Sequence, residues 1–146
     1  MILTEKLAKR YGQLDALRGI DLRVDEGDLF GFIGPNGAGK TTTLRILTTL
    51  LEPSSGDAWV DGHSVWNDKE KIRGTIGYMP DSFGVYRAMT VEEYLHFFAA
   101  AYGIPSKKRG SLIGGLLELT DLSYKENALV DTLSRGMQQR LGLART

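Results

Sequence analysis

Residues 34–42 read GPNGAGKTT, and this stretch decides how the rest of the chain is interpreted. It fits the pattern G-x-x-x-x-G-K-[ST], which begins at Gly34 and ends at Thr41. An apolar run, DLFGFI at residues 28–33, precedes it, and leucines at helical spacing follow it. A strand, a glycine-rich loop and a helix in this order are typical of a loop that binds phosphate groups.

Each residue type in the loop has a chemical reason. Glycines let the backbone turn tightly, so that successive N–H groups point toward phosphate oxygens. A helix starting near Lys40 directs its positive end at the same anion, and the lysine reaches the β- and γ-phosphates. Thr41 offers a hydroxyl to Mg²⁺, and Thr42 adds a phosphate contact. The alternative is a glycine-rich helix cap that binds nothing. The candidate nucleotide-binding residues are Gly34, Pro35, Asn36, Gly37, Ala38, Gly39, Lys40, Thr41 and Thr42.

Composition excludes several classes of protein. The 146 residues carry 18 basic and 18 acidic side chains, so net charge does not favour nucleic acid or an anionic membrane as the main partner. No cysteine is present, which excludes disulfides and thiolate metal sites. The sequence shows neither a secretory signal nor an apolar run long enough to span a bilayer.

Hydrophobic patterning predicts a β-rich first half. Apolar and polar residues alternate over residues 2–11 and 17–24, and residues 28–33 and 75–80 also fit strands. The helix from Lys40 is expected to end near Pro53. Strand and turn residues follow, with Gly56 and Asp61-Gly62 as the turn residues, and then a short helix is predicted at residues 67–74.

The second half is mostly helical. Thr90 and Glu93 form a capping-box pattern ahead of a helix that runs to Gly103. Residues 106–122 predict a weaker helix because they contain glycines, and the last helix covers residues 134–146.

Several motifs, in order along essentially the whole chain, resemble the ATP-binding subunit of ABC transporters. Residues 9–44 resemble the start of such a subunit, in which Tyr11 falls where the family stacks an aromatic ring on adenine. Without the resemblance, Tyr11 is an ordinary aromatic at a strand edge. LSRGM at residues 133–137 resembles the family's signature motif LSGGQ, with Arg135 in place of Gly and Met137 in place of Gln.

The resemblance implies a second ATP-binding subunit. In the family two such subunits pair head to tail, and each ATP lies between one subunit's phosphate loop and the other's signature helix. The residues implied to act in trans are Ser134, Arg135 and Gly136. Arg135 either adds a cation near the γ-phosphate or projects to solvent. The missing Gln at Met137 removes one polar contact.

Asp81 occupies the place where the family usually has the glutamine of its Q-loop. One hypothesis places Asp81 at the Mg²⁺ shell, where a carboxylate is a favourable ligand, with Thr41 as the other candidate metal ligand and Lys40 as the other candidate catalytic residue. The alternative is that Asp81 caps the turn after Pro80.

The implied fold is the α/β P-loop NTPase fold of ABC ATPases in incomplete form. It comprises an antiparallel β-subdomain and a partial parallel core sheet, followed by a helical subdomain. Residues 1–80 are expected to form the ATP-binding core with its phosphate loop, and residues 81–146 the Q-loop, helical subdomain and signature helix. The family's Walker B strand with its glutamate and its later histidine are absent after the signature, so residues 1–146 alone are expected to be inactive.

The expected function is that of an ATP-binding subunit of an exporter-type (ABC-2-like) transporter. It would couple ATP hydrolysis to transport through integral-membrane permease subunits, from the cytoplasmic face of the cell membrane. One alternative is a soluble ABC-type ATPase that acts on ribosomes or DNA, although the compact helical region favours transport. The other is a non-catalytic regulatory module that binds nucleotide.

Overall fold

A computed structural model describes residues 1–80, 86 and 88–146. It contains two compact units, a sheet unit at Met1–Gly77 and a helical unit at Tyr78–Thr146.

The sheet unit is built on four antiparallel strands in the order β2-β1-β3-β4. Their bounds are Ile2–Tyr11 for β1, Leu14–Val24 for β2, Ser55–Val60 for β3 and His63–Ser64 for β4. The predicted strands at residues 2–11 and 17–24 are therefore confirmed. The turn between β3 and β4 uses Asp61 and Gly62, both with positive φ, as a two-residue hairpin turn requires.

Two helices, α1 (Lys40–Leu47) and α2 (Lys69–Thr75), belong to this unit. The buried apolar residues of its core are Leu7, Leu17, Ile46, Leu47, Ala58, Val60, Val65 and Ile72. The short helix predicted at residues 67–74 is confirmed as α2. The prediction that α1 ends near Pro53 is wrong, because the helix ends at Leu47 and Thr49 leaves the helical conformation with a φ of 59°. Arg73 holds this turn by donating to the Thr49 hydroxyl and carbonyl oxygens, at 2.8 and 3.2 Å.

The predicted strands at residues 28–33 and 75–80 are wrong for this structure. Both segments lack strand conformation, and Ile33 is 92% exposed. A strand needs a hydrogen-bonded neighbour, and within the described residues nothing pairs with either segment. Every ladder among the described strands is antiparallel, so the predicted partial parallel sheet is not formed there.

The helical unit consists of α3 (Val91–Ala101), α4 (Ser106–Leu119) and α5 (Arg135–Arg145), with 3₁₀ turns at Ser123–Lys125 and Val130–Thr132. The three predicted helices are confirmed. The capping box forms as expected: the Thr90 hydroxyl accepts from the Glu93 amide at 3.2 Å, and the Glu93 carboxylate accepts from the Thr90 amide at 2.8 Å. The core residues are Val91, Tyr94, Leu95, Ile113, Leu117, Leu122, Val130, Leu133, Leu141 and Ala144.

Both tryptophans lie in the sheet unit. Trp59 pairs with Ser64 between β3 and β4, and the Trp66 indole donates to the Gly56 carbonyl oxygen at 3.0 Å. Across the part of the chain that the structure describes, no helix has the length and apolar character needed to cross a bilayer.

Candidate nucleotide-binding site

The loop before α1 has the backbone conformation that its glycines predict. Gly37 and Gly39 adopt φ values of 82° and 85°, in the left-handed region that favours glycine. A Cβ at Gly39 would lie 2.7 Å from the Ala16 carbonyl oxygen and 2.9 Å from Leu17 Cδ1. Residue 39 therefore has to be glycine for two reasons, its left-handed backbone conformation and its short distance to β2.

The first turn of α1 is free to attract an anion. Gly39 is its N-cap, so no side chain caps the helix, and the turn contains no acidic residue. Buried Thr43 anchors the turn from the core side, since its amide and its hydroxyl both donate to the Gly39 carbonyl oxygen, at 2.8 and 3.0 Å. The unpaired amides and the positive end of the helix dipole together suit a phosphate group.

Lys40 places a positive charge at the loop. Its ammonium donates to the carbonyl oxygens of Gly34 and Pro35, at 2.5 and 2.7 Å. The side chain therefore folds back over the loop that precedes it. Thr41 is exposed and Thr42 is partly exposed, so the hydroxyls of both residues are accessible.

A groove of about 340 Å³ lies beside the loop, between β2 and residues Gly37 and Ala38. Its β2 side is formed by Asp15, Ala16, Leu17, Arg18 and Ile20. Asp15 accepts a hydrogen bond from Arg10 at 2.7 Å, which lowers the pKa of the Asp15 carboxyl group. The β2 side of the groove is not visible in the sequence, because only the folded hairpin brings β2 to the loop.

In the helical unit, the stretch LSRGM forms the start of α5. Ser134 is the N-cap, and its hydroxyl accepts from the Met137 amide at 3.3 Å. Arg135 and Gly136 are exposed in the first turn, whereas Met137 packs partly buried against the helical core. A thioether at residue 137 thus gains apolar contacts that an amide side chain would not.

Comparison with known proteins identifies the family. The model of the family described as "ABC transporter" matches residues 17–146. The chain belongs to the ABC transporter family.

Named relatives of the ABC chain agree with this assignment. The Escherichia coli "Probable multidrug ABC transporter ATP-binding protein YbhF" is 36% identical over 144 residues, which cover 99% of this chain and 25% of that protein. The Bacillus licheniformis "Bacitracin transport ATP-binding protein BcrA" is 38% identical over 145 residues, 99% of this chain and 46% of that protein. The chain therefore spans less than half the length of either relative.

Solved ABC structures share the fold. A structure described as an ATP-binding subunit of an ABC transporter superposes with a TM-score of 0.84 at 27% identity, covering 100% of this chain and 61% of that one. The dimeric bacterial ABC transporter cassette MJ0796 superposes with a TM-score of 0.85 at 26% identity, covering 99% and 68%. The predicted ABC ATPase fold is confirmed, and this chain represents only part of it.

Tyr11, one of the predicted ABC site residues, stands apart from the groove. Tyr11 ends β1, is 47% exposed and has the Lys9 ammonium 5.3 Å from its ring centroid, but it does not line the groove. Asp81 lies outside the described residues. Among the residues that are described, no cluster of three acidic, His or Cys side chains could hold a metal ion. Thr41 is the predicted metal ligand for which the structure gives a position.

Proposed function

We propose that this chain is the nucleotide-binding part of an ABC transporter ATP-binding subunit, which couples ATP binding and hydrolysis to transport through separate membrane subunits. The observation that carries the proposal is the loop at residues 34–42, where two left-handed glycines and Lys40 surround the uncapped start of α1. Family membership supports it, as do relatives whose names describe ATP-binding transport proteins.

ATP fits the chemistry of the loop. The amides of α1 and the ammonium of Lys40 would hold its phosphates, while the groove along β2 would receive the ribose. Tyr11, at the exposed end of β1, is proposed to stack on adenine. Mg²⁺ would bind the Thr41 hydroxyl together with phosphate oxygens, and Asp81 is proposed as a further ligand. Bound there, Mg²⁺ would offset negative charge on the phosphates.

The second half of the site is proposed to come from another subunit. Ser134, Arg135 and Gly136 lie exposed at the start of α5, where amides and a cation suit the γ-phosphate. A head-to-tail dimer would bring this turn to the partner's phosphate loop. The dimeric MJ0796 cassette supports an assembly of this kind.

The transport role and the location at the membrane are proposed from the similarity of this chain to its relatives. One relative is named a "Nod factor export ATP-binding protein" from Ralstonia nicotianae, 36% identical over 146 residues, which favours an exporter of the ABC-2-like type. Permease subunits would hold the protein at the inner face of the membrane. Residues 1–146 alone are proposed to bind ATP weakly and not to hydrolyse it, because they lack the family's Walker B glutamate.

Calorimetric titration of the chain with ATP and Mg²⁺ tests the proposal. Lys40→Ala should weaken binding at least tenfold, because it removes the cation at the phosphates. Lys107→Ala, which changes an exposed lysine in the first turn of α4, should leave affinity unchanged. Equal affinities for all three proteins, or no binding by the wild type at millimolar ATP, would contradict the proposal.

A further inference from the structure

The C-terminal end of α4 leaves backbone carbonyls that need donors. Asp121 follows the helix with a φ of 52°. The Leu122 amide donates to the Leu117 carbonyl oxygen at 2.8 Å, and the Asp121 amide to that of Glu118 at 3.1 Å. This is the pattern of a Schellman motif. It does not supply donors for the carbonyls of Thr120 and Asp121, which come last in the motif.

Arg140 of α5 supplies those donors. Its Nη1 donates to the Thr120 carbonyl at 3.2 Å, to the Asp121 carbonyl at 3.0 Å and to the Asp121 carboxylate at 2.8 Å. All three contacts come from one nitrogen atom. A cation at a helix C-terminus is also favoured by the helix dipole. The end of α4 is thus attached to the middle of α5.

This contact adds a directional restraint on α5 to its apolar packing and to two other polar contacts, Gln138 donating to the Val130 carbonyl oxygen at 3.4 Å and Arg145 donating to the Tyr94 hydroxyl at 3.2 Å. On the core side, α5 is held by Leu141 and Ala144, which are buried, and by Met137, which is partly buried. Apolar contacts have no preferred direction, so they tolerate small shifts of a helix along its axis. The hydrogen bonds from Arg140 Nη1 have preferred distances and angles, so they restrict such shifts. Arg140 lies six residues after Ser134, about 9 Å along the helix, and a shift of one moves the other.

We propose that Arg140 is a positioning residue for the ATP site shared between two subunits. It holds α5 so that the first turn at Ser134 meets ATP bound by the partner, and it does not itself contact the nucleotide. The inference rests on the proposed function, in which that turn completes the site.

Four variants of the full-length subunit separate this role from others. Arg140→Met keeps the apolar stem, loses every donor and should raise the ATP concentration for half-maximal turnover about tenfold, with little change in kcat. Arg140→Lys should restore most of the loss, because one nitrogen made all three contacts. Asp121→Asn should change it less than twofold, because the two backbone carbonyls remain. Arg109→Met is the matched control, since the hydrogen bond that Arg109 donates, at 2.7 Å, goes to the Ile104 carbonyl oxygen in the same unit and not to α5.

Mixed dimers test whether the effect acts across the subunits. When a Lys40→Ala subunit pairs with an Arg140→Met subunit, one shared site carries both changes and the other is intact. At low ATP, turnover per mixed dimer should then be about half the wild-type rate, because one of its two sites is intact. When both changes are placed on one chain and paired with wild type, each site carries one change and turnover at low ATP should stay low.

The outcomes are distinguishable. Recovery in the first arrangement alone supports the inference. Equal turnover in both arrangements at low ATP, or an Arg140→Met subunit that needs the same ATP concentration for half-maximal turnover as wild type, overturns it while leaving the proposed function standing. Failure of the wild-type subunit to bind and hydrolyse ATP overturns the proposed function and the inference together.

Discussion

Gly39 and Ala16 approach each other so closely that a single added methyl group at residue 39 would overlap the carbonyl oxygen of residue 16. The distance from that Cβ position to the Ala16 oxygen is 2.7 Å, and backbone rather than a flexible side chain occupies the space. The phosphate loop and β2 are therefore fixed against each other at this point.

Gly39→Ala should destabilise the sheet unit by about 2–4 kcal/mol, from left-handed strain and the overlap with β2. The displaced loop should also lose ATP affinity at least tenfold. Denaturant unfolding followed by circular dichroism measures the first effect, and calorimetry the second. Gly37→Ala is the matched control: its φ is 82°, but a Cβ there meets nothing within 4 Å, so its cost should be about 1 kcal/mol. Similar losses for the two variants would show that closeness to Ala16 is unimportant.

Gly114→Ala should stabilise the helical unit by roughly 0.5–1 kcal/mol. Gly114 lies inside α4, and a Cβ there would meet nothing within 4 Å. The same substitution at Gly103 has equal space but a φ of 73°, so it should destabilise by about 1 kcal/mol. Urea midpoints of the two variants should move in opposite directions. A midpoint for Gly114→Ala below that of wild type would refute the account.

Stability of the helical unit should fall as pH rises above about 10, the ordinary pKa of tyrosine. Burial raises the pKa of the Tyr94 hydroxyl, while the neighbouring Arg145 acts in the opposite direction. The unfolded chain therefore loses this proton at lower pH than the folded chain does, so Tyr94 lowers stability only in the alkaline range.

Tyr94→Phe should flatten that alkaline decline. At neutral pH it should cost about 1 kcal/mol, because the hydroxyl accepts from Arg145 at 3.2 Å. Thermal unfolding measured between neutral and alkaline pH gives both quantities. Tyr102→Phe alters a ring that is 64% exposed and serves as the control. An unchanged alkaline slope in Tyr94→Phe would remove Tyr94 as its cause.

Local signals in the sequence predicted most elements correctly. Alternation over residues 2–11, the turn at Asp61 and Gly62 and the capping box at Thr90 each depend on neighbouring residues alone. The conformation of the phosphate loop followed from its glycines for the same reason.

Features that depend on distant contacts were not predictable. The turn after α1 is held by hydrogen bonds from Arg73, which lies 24 residues after Thr49. The apolar run at residues 28–33 has strand composition, but composition supplies no hydrogen-bonded neighbour. The β2 wall of the groove and the attachment of α5 by Arg140 likewise depend on the folded chain. Tyr11, Asp81 and the residues assigned to the second subunit remain predictions.

The placement of the two tryptophans has a practical consequence for spectroscopy. Trp59 and Trp66 both belong to the sheet unit, and the sequence contains two tryptophans in all. Indole emission therefore reports on the sheet unit, which contains the loop at residues 34–42. It does not report on the helical unit, which contains α5. Recorded beside helical ellipticity, it shows whether the two halves melt together or one after the other.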